Sequence, residues 1–239
     1  MLSLIIPMYN EEKILPDTIK TLHEYMSKTF EKYEIIFSDD GSKDSSKKIV
    51  EECGLPNVRL VSYSENKGKG GAVRNGMLNA KGDIRLFTDC DLAYGTDIIK
   101  TLYDSFKSAN CDVMIGSRNI HKDGYEGYTF MRKLVSKAYI KLLCMVGGFK
   151  LSDSQCGFKA FSGKAAEAVF SKCVINSFAF DFEAIMFATR LGYRINEIPV
   201  KIINHRESES KVNMLSDSIK MFKDVLKIKK HVKNTVAKS

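Results

Sequence analysis

The chain has 239 residues, of which 44% are hydrophobic, so it is long enough to form a sizeable core in one large α/β domain or two small ones. Its 37 basic and 29 acidic residues give a net charge of +8, which indicates an anionic partner: a nucleic acid, a membrane surface or a phosphorylated small molecule. No two of the six cysteines form a C-x-x-C pair, which argues against a zinc site or a disulfide framework and favours a reducing, cytosolic compartment. The sequence shows no secretory signal, and its longest apolar stretch, 138–149, is too short to span a bilayer.

The first half of the chain alternates between strand and helix patterns. Short apolar runs rich in branched and aromatic residues predict buried strands at 2–8, 33–38, 58–63, 84–88 and 113–116. Apolar residues at helical spacing between these runs predict helices around 15–26, 72–80 and 98–106. This alternation predicts an α/β fold, with a mostly parallel central sheet and helices on both faces.

The second half is less regular, and no domain boundary is evident. Helices are predicted at 132–146, 165–170 and 182–191, a strand at 155–161, and one strand or two within 194–203. The last segment, 214–238, predicts a basic helix with an apolar stripe formed by Leu215, Ile219, Phe222 and Leu226.

Two carboxylates, Asp89 and Asp91, stand just after the fourth predicted strand. Ligands of open α/β sheets bind outside the carboxyl ends of the strands, and Mg²⁺ or Mn²⁺ favours carboxylates together with phosphate oxygens. The pair therefore predicts a metal site that clamps a diphosphate. The alternative is that one aspartate caps the helix near Thr96 while the other is solvated.

Other polar loops follow the same strand ends. Asp39 is placed to accept hydrogen bonds from a base or ribose, or else to belong to a simple turn. The glycine-rich loop 66–72, which includes Lys69, matches neither G-x-G-x-x-G nor the G-x-x-x-x-G-K-[ST] pattern, so it is a weak phosphate-loop signal.

Basic and acidic residues further along are candidates for the chemistry itself. Arg118, Arg132, Arg206 and Lys211 together could neutralise a departing diphosphate and an anionic acceptor. If the acceptor is a hydroxyl, Asp181 or Glu183 is the candidate general base; otherwise both are helix N-terminal charges. A phosphate monoester acceptor, with a second pKa of about 6, needs no base.

Five motifs in order resemble inverting family 2 glycosyltransferases of GT-A fold, and especially the polyprenyl-phosphate (dolichyl-phosphate) glucosyl- and mannosyltransferases. The resemblance spans about residues 1 to 212 as one GT-A domain. Residues 213–239 are then a basic amphipathic helix that either belongs to the same domain or contacts a membrane surface. The motifs are Pro7-x-Tyr9-Asn10-Glu11, Asp39-Asp40-Gly41-Ser42, Asn66-x-Gly68-Lys69-Gly70-x-Ala72-x-Arg74, Asp89-x-Asp91 and Gln155-Cys156-Gly157-Phe158-Lys159.

The resemblance implies a role for each matching position. The nucleoside contacts would come from Pro7, Tyr9, Glu11 and Asp39, and the motif residues Lys69 and Gln155 would also bind substrate. Asp89 and Asp91 would hold Mg²⁺ or Mn²⁺ and the diphosphate. Arg118 and Arg132 would engage the acceptor phosphate or the sugar, while Arg206 and Lys211 would close over the donor phosphates.

The reaction so implied is metal-dependent, inverting transfer of a hexose from a nucleotide diphosphate sugar to a polyprenyl phosphate, with UDP-glucose favoured. The protein would be cytoplasmic and peripheral at the inner face of the membrane, through the amphipathic helices 132–146 and 214–238, whose alternative is core packing. One rival is a family 2 transferase acting on a sugar or glycolipid hydroxyl. Another is a non-catalytic basic nucleotide-binding module; no nucleic-acid motif is present, and no nucleic-acid partner is expected.

Overall fold

The computed structural model describes residues 1–204 and 214–237, except for the side chains at positions 132 and 214–223. Within these residues the strands are β1 (Leu2–Met8), β2 (Tyr33–Asp39), β3 (Val58–Ser62), β4 (Ile84–Phe87), β5 (Val113–Ser117), β6 (Lys159–Ser162) and β7 (Ile195–Pro199). The helices are α1 (Leu15–Thr29), α2 (Ser46–Glu52), α3 (Lys69–Asn79), α4 (Asp97–Ser108), α5 (Phe130–Gly147), α6 (Gly163–Phe170), α7 (Phe180–Arg190) and α8 (Met214–Val236). None of these helices combines the length and apolar character that a membrane span requires.

The described strands form one sheet in the order β3-β2-β1-β4-β6-β5-β7. Strands β3, β2, β1 and β4 are parallel to one another, and β5 is parallel to β7. β6 lies between β4 and β5 and is antiparallel to both. Two reversals restore the original direction, so β5 ends at the same edge as β1, β2 and β4, whereas β6 starts there.

Helices cover both faces of the sheet, as predicted. Alternate side chains of β1 explain this, because Leu4 and Ile6 belong to one core with α1, α2 and α4, whereas Ile5 belongs to a second core with α3, α6 and α7. A strand buried on both faces needs a continuous apolar run, which is what 2–8 offers. The predicted mostly parallel α/β sheet is therefore confirmed.

The structure differs from the sequence-based prediction in three elements. The strand predicted at 155–161 begins only at Lys159, where its ladders with β4 (opposite Phe87) and β5 (opposite Ile115) start. Helix α2 was not predicted, since it is short and buries only Ser46 and Val50. On α8, Leu226 is 52% exposed, and the buried positions among the described side chains are Val225, Ile228 and Val232; the other predicted stripe residues, Leu215, Ile219 and Phe222, have side chains outside the described part.

The C-terminal half of α8 is thus part of the protein core. Val225, Ile228 and Val232 lie in the same apolar cluster as the side chains of α7. Such burial favours core packing for this end of the helix over contact with a membrane surface.

Candidate active site

A cleft of about 450 Å³ opens at the carboxyl ends of β1, β2 and β4. Six of the predicted site residues line it: Pro7, Tyr9, Glu11, Lys69, Asp89 and Asp91. Phe178, which the sequence did not single out, completes one wall and is exposed. The edge of the sheet therefore brings together residues from four separate loops, as the strand-end rule predicts.

The loops after β1 and β2 hold each other in place. Asn10, with a positive φ of 55°, accepts a hydrogen bond from the Lys43 amide through its side-chain oxygen (2.8 Å). The Ser46 hydroxyl accepts one from the Glu11 amide (2.8 Å). These bonds place the Tyr9–Glu11 turn at the mouth of the cleft, where Tyr9 is exposed.

Asp39 and Asp40 have different surroundings. Asp39 is buried, and its carboxylate accepts hydrogen bonds from the Ser42 amide (3.2 Å) and hydroxyl (2.5 Å). Asp40 lines the cleft and accepts from the Tyr63 hydroxyl (2.5 Å) and from the amides of Lys67 and Gly68 (2.9 and 2.8 Å). Asp40 therefore shapes the glycine-rich loop, a role that the sequence did not reveal.

The glycines of that loop allow close approach to the segment before α7. Gly68 has a φ of +106°, and a Cβ placed on it would lie 2.6 Å from the Asn176 carbonyl oxygen. The Gly70 amide donates to the same oxygen (2.9 Å). Only glycine fits at position 68, because both the backbone conformation and the space exclude a side chain. The loop thus starts α3 with Lys69 directed at the cleft.

Lys69 and Asp89 form an ion pair within the cleft. Burial opposes the lysine charge, but the neighbouring Asp89 carboxylate outweighs it and raises the pKa of Lys69; Asp181 and Asp91 act in the same direction. Asp91 accepts a hydrogen bond from the Ala93 amide (3.1 Å), which closes the turn after β4. The Asp89 carboxylate is therefore already paired with one cation, and the charges of Asp91 and Asp181 also act on that cation.

Gly157 lies next to the carboxylate oxygen of Asp89 that does not pair with Lys69. A Cβ added at Gly157 would lie 2.7 Å from Asp89 Oδ2. This contact exists because β6 enters the sheet from the cleft edge and so carries residues 155–158 past the end of β4. The sequence hinted at it only through the QCGFK motif.

The Asp89 and Asp91 pair fits a divalent ion that arrives with its own oxygen ligands. No cluster of three or more His, Cys, Asp or Glu side chains in the described part of the chain is arranged to hold a metal by itself. Two hard carboxylate oxygens beside an open cleft, with the space at Gly157 left empty of a side chain, suit Mg²⁺ or Mn²⁺ shared with a diphosphate.

Asp181 and Glu183 lie in the first turn of α7, and other groups occupy both carboxylates. Asp181 accepts from the fully buried Lys159 ammonium (2.5 Å), which also donates to the Cys156 carbonyl oxygen. Burial raises the pKa of Asp181, although the charges of Lys159 and Lys69 partly offset it. Glu183 is buried and accepts from the amides at 174 and 175 (3.0 and 2.8 Å).

Arg118 follows β5 and is held by a buried carboxylate. Its Nε and Nη2 donate to the two oxygens of Asp153 (2.7 and 3.0 Å). Burial opposes the charge, but the hydrogen bonds with Asp153 outweigh it and raise the pKa of Arg118. The amide of Gln155 donates to the same carboxylate (3.2 Å), so Gln155 lies beside this pair rather than in the cleft lining.

Two lysines that the sequence did not single out join Arg118. The ammonium groups of Lys133 and Lys137 lie 5.7 and 5.8 Å from the centre of the Tyr125 ring, and the Arg118 guanidinium lies 5.5 Å from it. Their i, i+4 spacing on α5 was the available signal. The Arg132 side chain, Arg206 and Lys211 lie outside the described residues.

The Gly157 contact makes a testable prediction. Gly157→Ala should displace the Asp89 carboxylate, because the new methyl group would overlap Oδ2. We expect a drop of about tenfold in affinity for Mn²⁺ in the presence of nucleoside diphosphate, the value of one charged contact. Isothermal titration measures it. Gly192→Ala adds a methyl group where nothing lies within 4 Å but where the φ of +80° disfavours a side chain, so it shows what backbone strain alone does to the affinity. Unchanged affinity would refute the supporting role.

Comparison with known proteins gives consistent matches. The family model described as Glycosyl transferase family 2 matches residues 3–170. The chain is 35% identical over 246 residues to a dolichyl-phosphate beta-glucosyltransferase of Dictyostelium discoideum, covering 95% of this chain and 73% of that protein. It is 32% identical over 247 residues to the Homo sapiens protein of the same name, with 95% and 74% covered.

Among solved structures, the fold is similar to that of glucosyl-3-phosphoglycerate synthase from Mycobacterium tuberculosis in complex with Mn²⁺, UDP and phosphoglyceric acid. The TM-score is 0.68 at 18% identity, with 95% of this chain and 76% of the other covered. At this identity the likeness shows the fold alone. It confirms the predicted GT-A architecture.

Proposed function

Because this chain belongs to glycosyl transferase family 2 and is therefore a glycosyltransferase, we propose that it transfers glucose from UDP-glucose to a polyprenyl phosphate. The observation that carries the proposal is the 32 to 35% identity, over 95% of the chain, to relatives named dolichyl-phosphate beta-glucosyltransferase. Two features support it: the cleft carries acidic residues suited to a metal diphosphate, and Arg118, Lys133 and Lys137 form a basic cluster around Tyr125 that suits a phosphate.

The donor would lie with its diphosphate at Asp89 and Asp91 and its nucleoside along Pro7, Tyr9 and Glu11. Structural neighbours were crystallised with UDP and Mn²⁺ or Mg²⁺, which supports the use of a divalent ion. When bound, the ion would stabilise the negative charge of the leaving diphosphate. The roles of Asp39, Gln155, Arg132, Arg206 and Lys211 stay predictions.

The acceptor chemistry needs no general base. A phosphate oxygen of the acceptor would attack C1 of glucose, the bond from C1 to the diphosphate oxygen would break, and the configuration at C1 would invert. The attacking oxygen is already anionic near neutral pH, and Arg118, Lys133 and Lys137 would hold its charge. The hydroxyl-acceptor alternative has less support, because Asp181 is paired with Lys159, and Glu183 is fully buried with its Oε2 bonded to two backbone amides.

We propose that the protein works as a peripheral protein on the cytoplasmic face of a membrane, with α5 as the contact. Six apolar side chains on α5 are exposed to solvent: Phe130, Met131, Leu134, Val135, Leu142 and Met145. At 100° per residue they fall on one side of the helix, with Lys137 and Lys133 beyond one edge of this arc and Lys141 just inside that edge. An apolar face bordered by lysines suits the headgroup region of an anionic bilayer, and six free cysteines suit a reducing compartment.

This surface makes a second prediction. Leu134→Asp combined with Val135→Asp should lower binding to anionic phospholipid vesicles at least about tenfold, because one buried leucine contributes about 1.5–3 kcal/mol. Vesicle flotation measures the bound fraction. Leu226→Asp, at an exposed apolar position of α8, is the control for adding one carboxylate to another helix, and Leu134→Asp alone is the single variant to compare with it. If the α8 variant loses vesicle binding and the α5 variant keeps it, the membrane contact lies on α8 and the assignment to α5 is wrong.

Release of nucleoside diphosphate tests the reaction. UDP- and GDP-sugars are incubated with Mn²⁺ or Mg²⁺, with and without a polyprenyl phosphate. We expect release from UDP-glucose that needs both the metal and the lipid phosphate. Release that a sugar hydroxyl stimulates, with polyprenyl phosphate inert, would overturn the proposal in favour of a glycan acceptor.

A further inference from the structure

We propose that the Lys69 ammonium is a resident counter-ion of Asp89, which it leaves for the donor's diphosphate when a divalent ion binds. Metal and nucleotide would then bind cooperatively, each weakly alone and tightly together. This inference rests on the proposed function only in taking the donor to carry a diphosphate with a divalent ion.

The first step of the argument is the position of the lysine. Lys69 is the first residue of α3, and its ammonium pairs with Asp89 Oδ1 in the cleft. The other oxygen, Oδ2, lies against Gly157. Both oxygens of the Asp89 carboxylate are therefore already in contact with other groups. A divalent ion that binds Asp89 must compete with Lys69 for it.

The second step is the balance of charge. The charges of Asp89, Asp181 and Asp91 all act on Lys69, and Asp181 has its own cation in Lys159. Two lysines thus face three carboxylates. A metal ion alone would displace Lys69 and leave its ammonium without an equivalent partner in a site where its side chain is only 26% exposed. A diphosphate that arrives with the metal replaces the lost partner, since lysine binds phosphate as a point charge.

The third step is the freedom of Lys69 to move. Its four-carbon stem can redirect the ammonium without moving α3, because only the side chain needs to change rotamer. Both partners are partly exposed, at 26% and 31%, so water can enter as the pair opens. The coupling that follows is reciprocal: nucleotide tightens metal binding by the same factor as metal tightens nucleotide binding.

Lys67 offers a matched control from the same loop. Its ammonium lies over the Tyr63 ring, 4.7 Å from the ring centre, and has no carboxylate partner in the described part of the chain. Lys67→Met therefore removes one positive charge from the loop without altering the Asp89 pair.

Electron paramagnetic resonance of Mn²⁺ tests the inference on the full chain, titrated with and without UDP or GDP. Lys69→Met should bind Mn²⁺ alone about tenfold tighter than wild type, the value of a charged hydrogen bond no longer in competition. The enhancement of Mn²⁺ binding by nucleotide should shrink by a similar factor. Lys67→Met should behave as wild type. Lys69→Gln, which keeps a polar side chain at the cleft, repeats the test should the methionine variant fold poorly.

Several results would overturn the inference. Lys69 variants that bind Mn²⁺ alone no more tightly than wild type would do so, and so would an unchanged nucleotide enhancement. A wild-type protein without any enhancement by either nucleotide would also refute it. The titration needs neither sugar nor lipid. If cooperative binding is found while polyprenyl phosphate stays unglucosylated, the proposed function fails and this inference stands.

Discussion

Asp91→Ala is expected to reduce release of nucleoside diphosphate by about a hundredfold or more, a loss typical of removing one group that stabilises transition-state charge. Asp91 lines the cleft beside Asp89 and is only partly buried. The protein should stay folded, because the bond that Asp91 accepts from the Ala93 amide is worth only about 1 kcal/mol. Initial rates with Mn²⁺ and a thermal melt measure the two effects.

The control for this variant is Asp97→Ala. Asp97 is exposed at the start of α4, a short distance along the same segment, and has the same charge. It should leave turnover within a factor of about two, since a surface substitution changes little. If Asp91→Ala keeps wild-type turnover, the assignment of the metal site to Asp89 and Asp91 is wrong.

Lys159→Met is expected to produce the largest loss of stability, about 3–5 kcal/mol in the free energy of unfolding, because it leaves a buried charge without its partner. Lys159 is fully buried and its ammonium lies 2.5 Å from Asp181 Oδ1. Urea unfolding at pH 7 measures the change. The matched control is Lys164→Met on the exposed side of α6, which should stay within about 0.5 kcal/mol of wild type.

Removing both partners should be less harmful than removing one. Lys159→Met combined with Asp181→Leu replaces an ion pair by apolar side chains, which is often close to neutral in buried sites. We expect the double variant to recover most of the lost stability, and a double-mutant cycle gives the coupling. A double variant less stable than Lys159→Met alone would show that the lysine acts through packing instead.

The loss in Lys159→Met should also depend on pH. Burial raises the folded-state pKa of Asp181 above its ordinary value of 3.8, and removing Lys159 takes away a charge that lowers it. A carboxyl group with a raised folded pKa stabilises the fold below its unfolded pKa and loses that contribution as pH rises through the folded pKa. The deficit should therefore be small near pH 4 and grow toward pH 7.

Much of the fold follows from local patterns. The run at 2–8 predicts a doubly buried strand because each of its side chains meets a helix layer, and β1 has those bounds. Strand ends predict the cleft residues Tyr9, Glu11, Asp89 and Asp91 for a related reason. The strand direction alone determines at which edge of a parallel sheet the loops that follow the strands lie.

Helix stripes were less reliable where one helix rests on another. Of the predicted α8 stripe only Leu226 has a described side chain, and it is exposed, whereas Val225, Ile228 and Val232 beside it are buried. Val225, Leu226 and Ile228 lie so close together in the sequence that helical spacing alone allows either side of the helix to be the buried one. Packing against α7 decides between them.

By itself the sequence determined the α/β class, the edge of the sheet that carries the site, and the two aspartates at its centre, because apolar periodicity and strand ends are local properties of the chain. Only the tertiary structure decided which distant groups meet there. The antiparallel β6 brings Gly157 against Asp89 and Lys159 against Asp181, and α3 brings Lys69 to Asp89. Such pairs depend on which strands lie side by side, and no local pattern in the chain encodes that order.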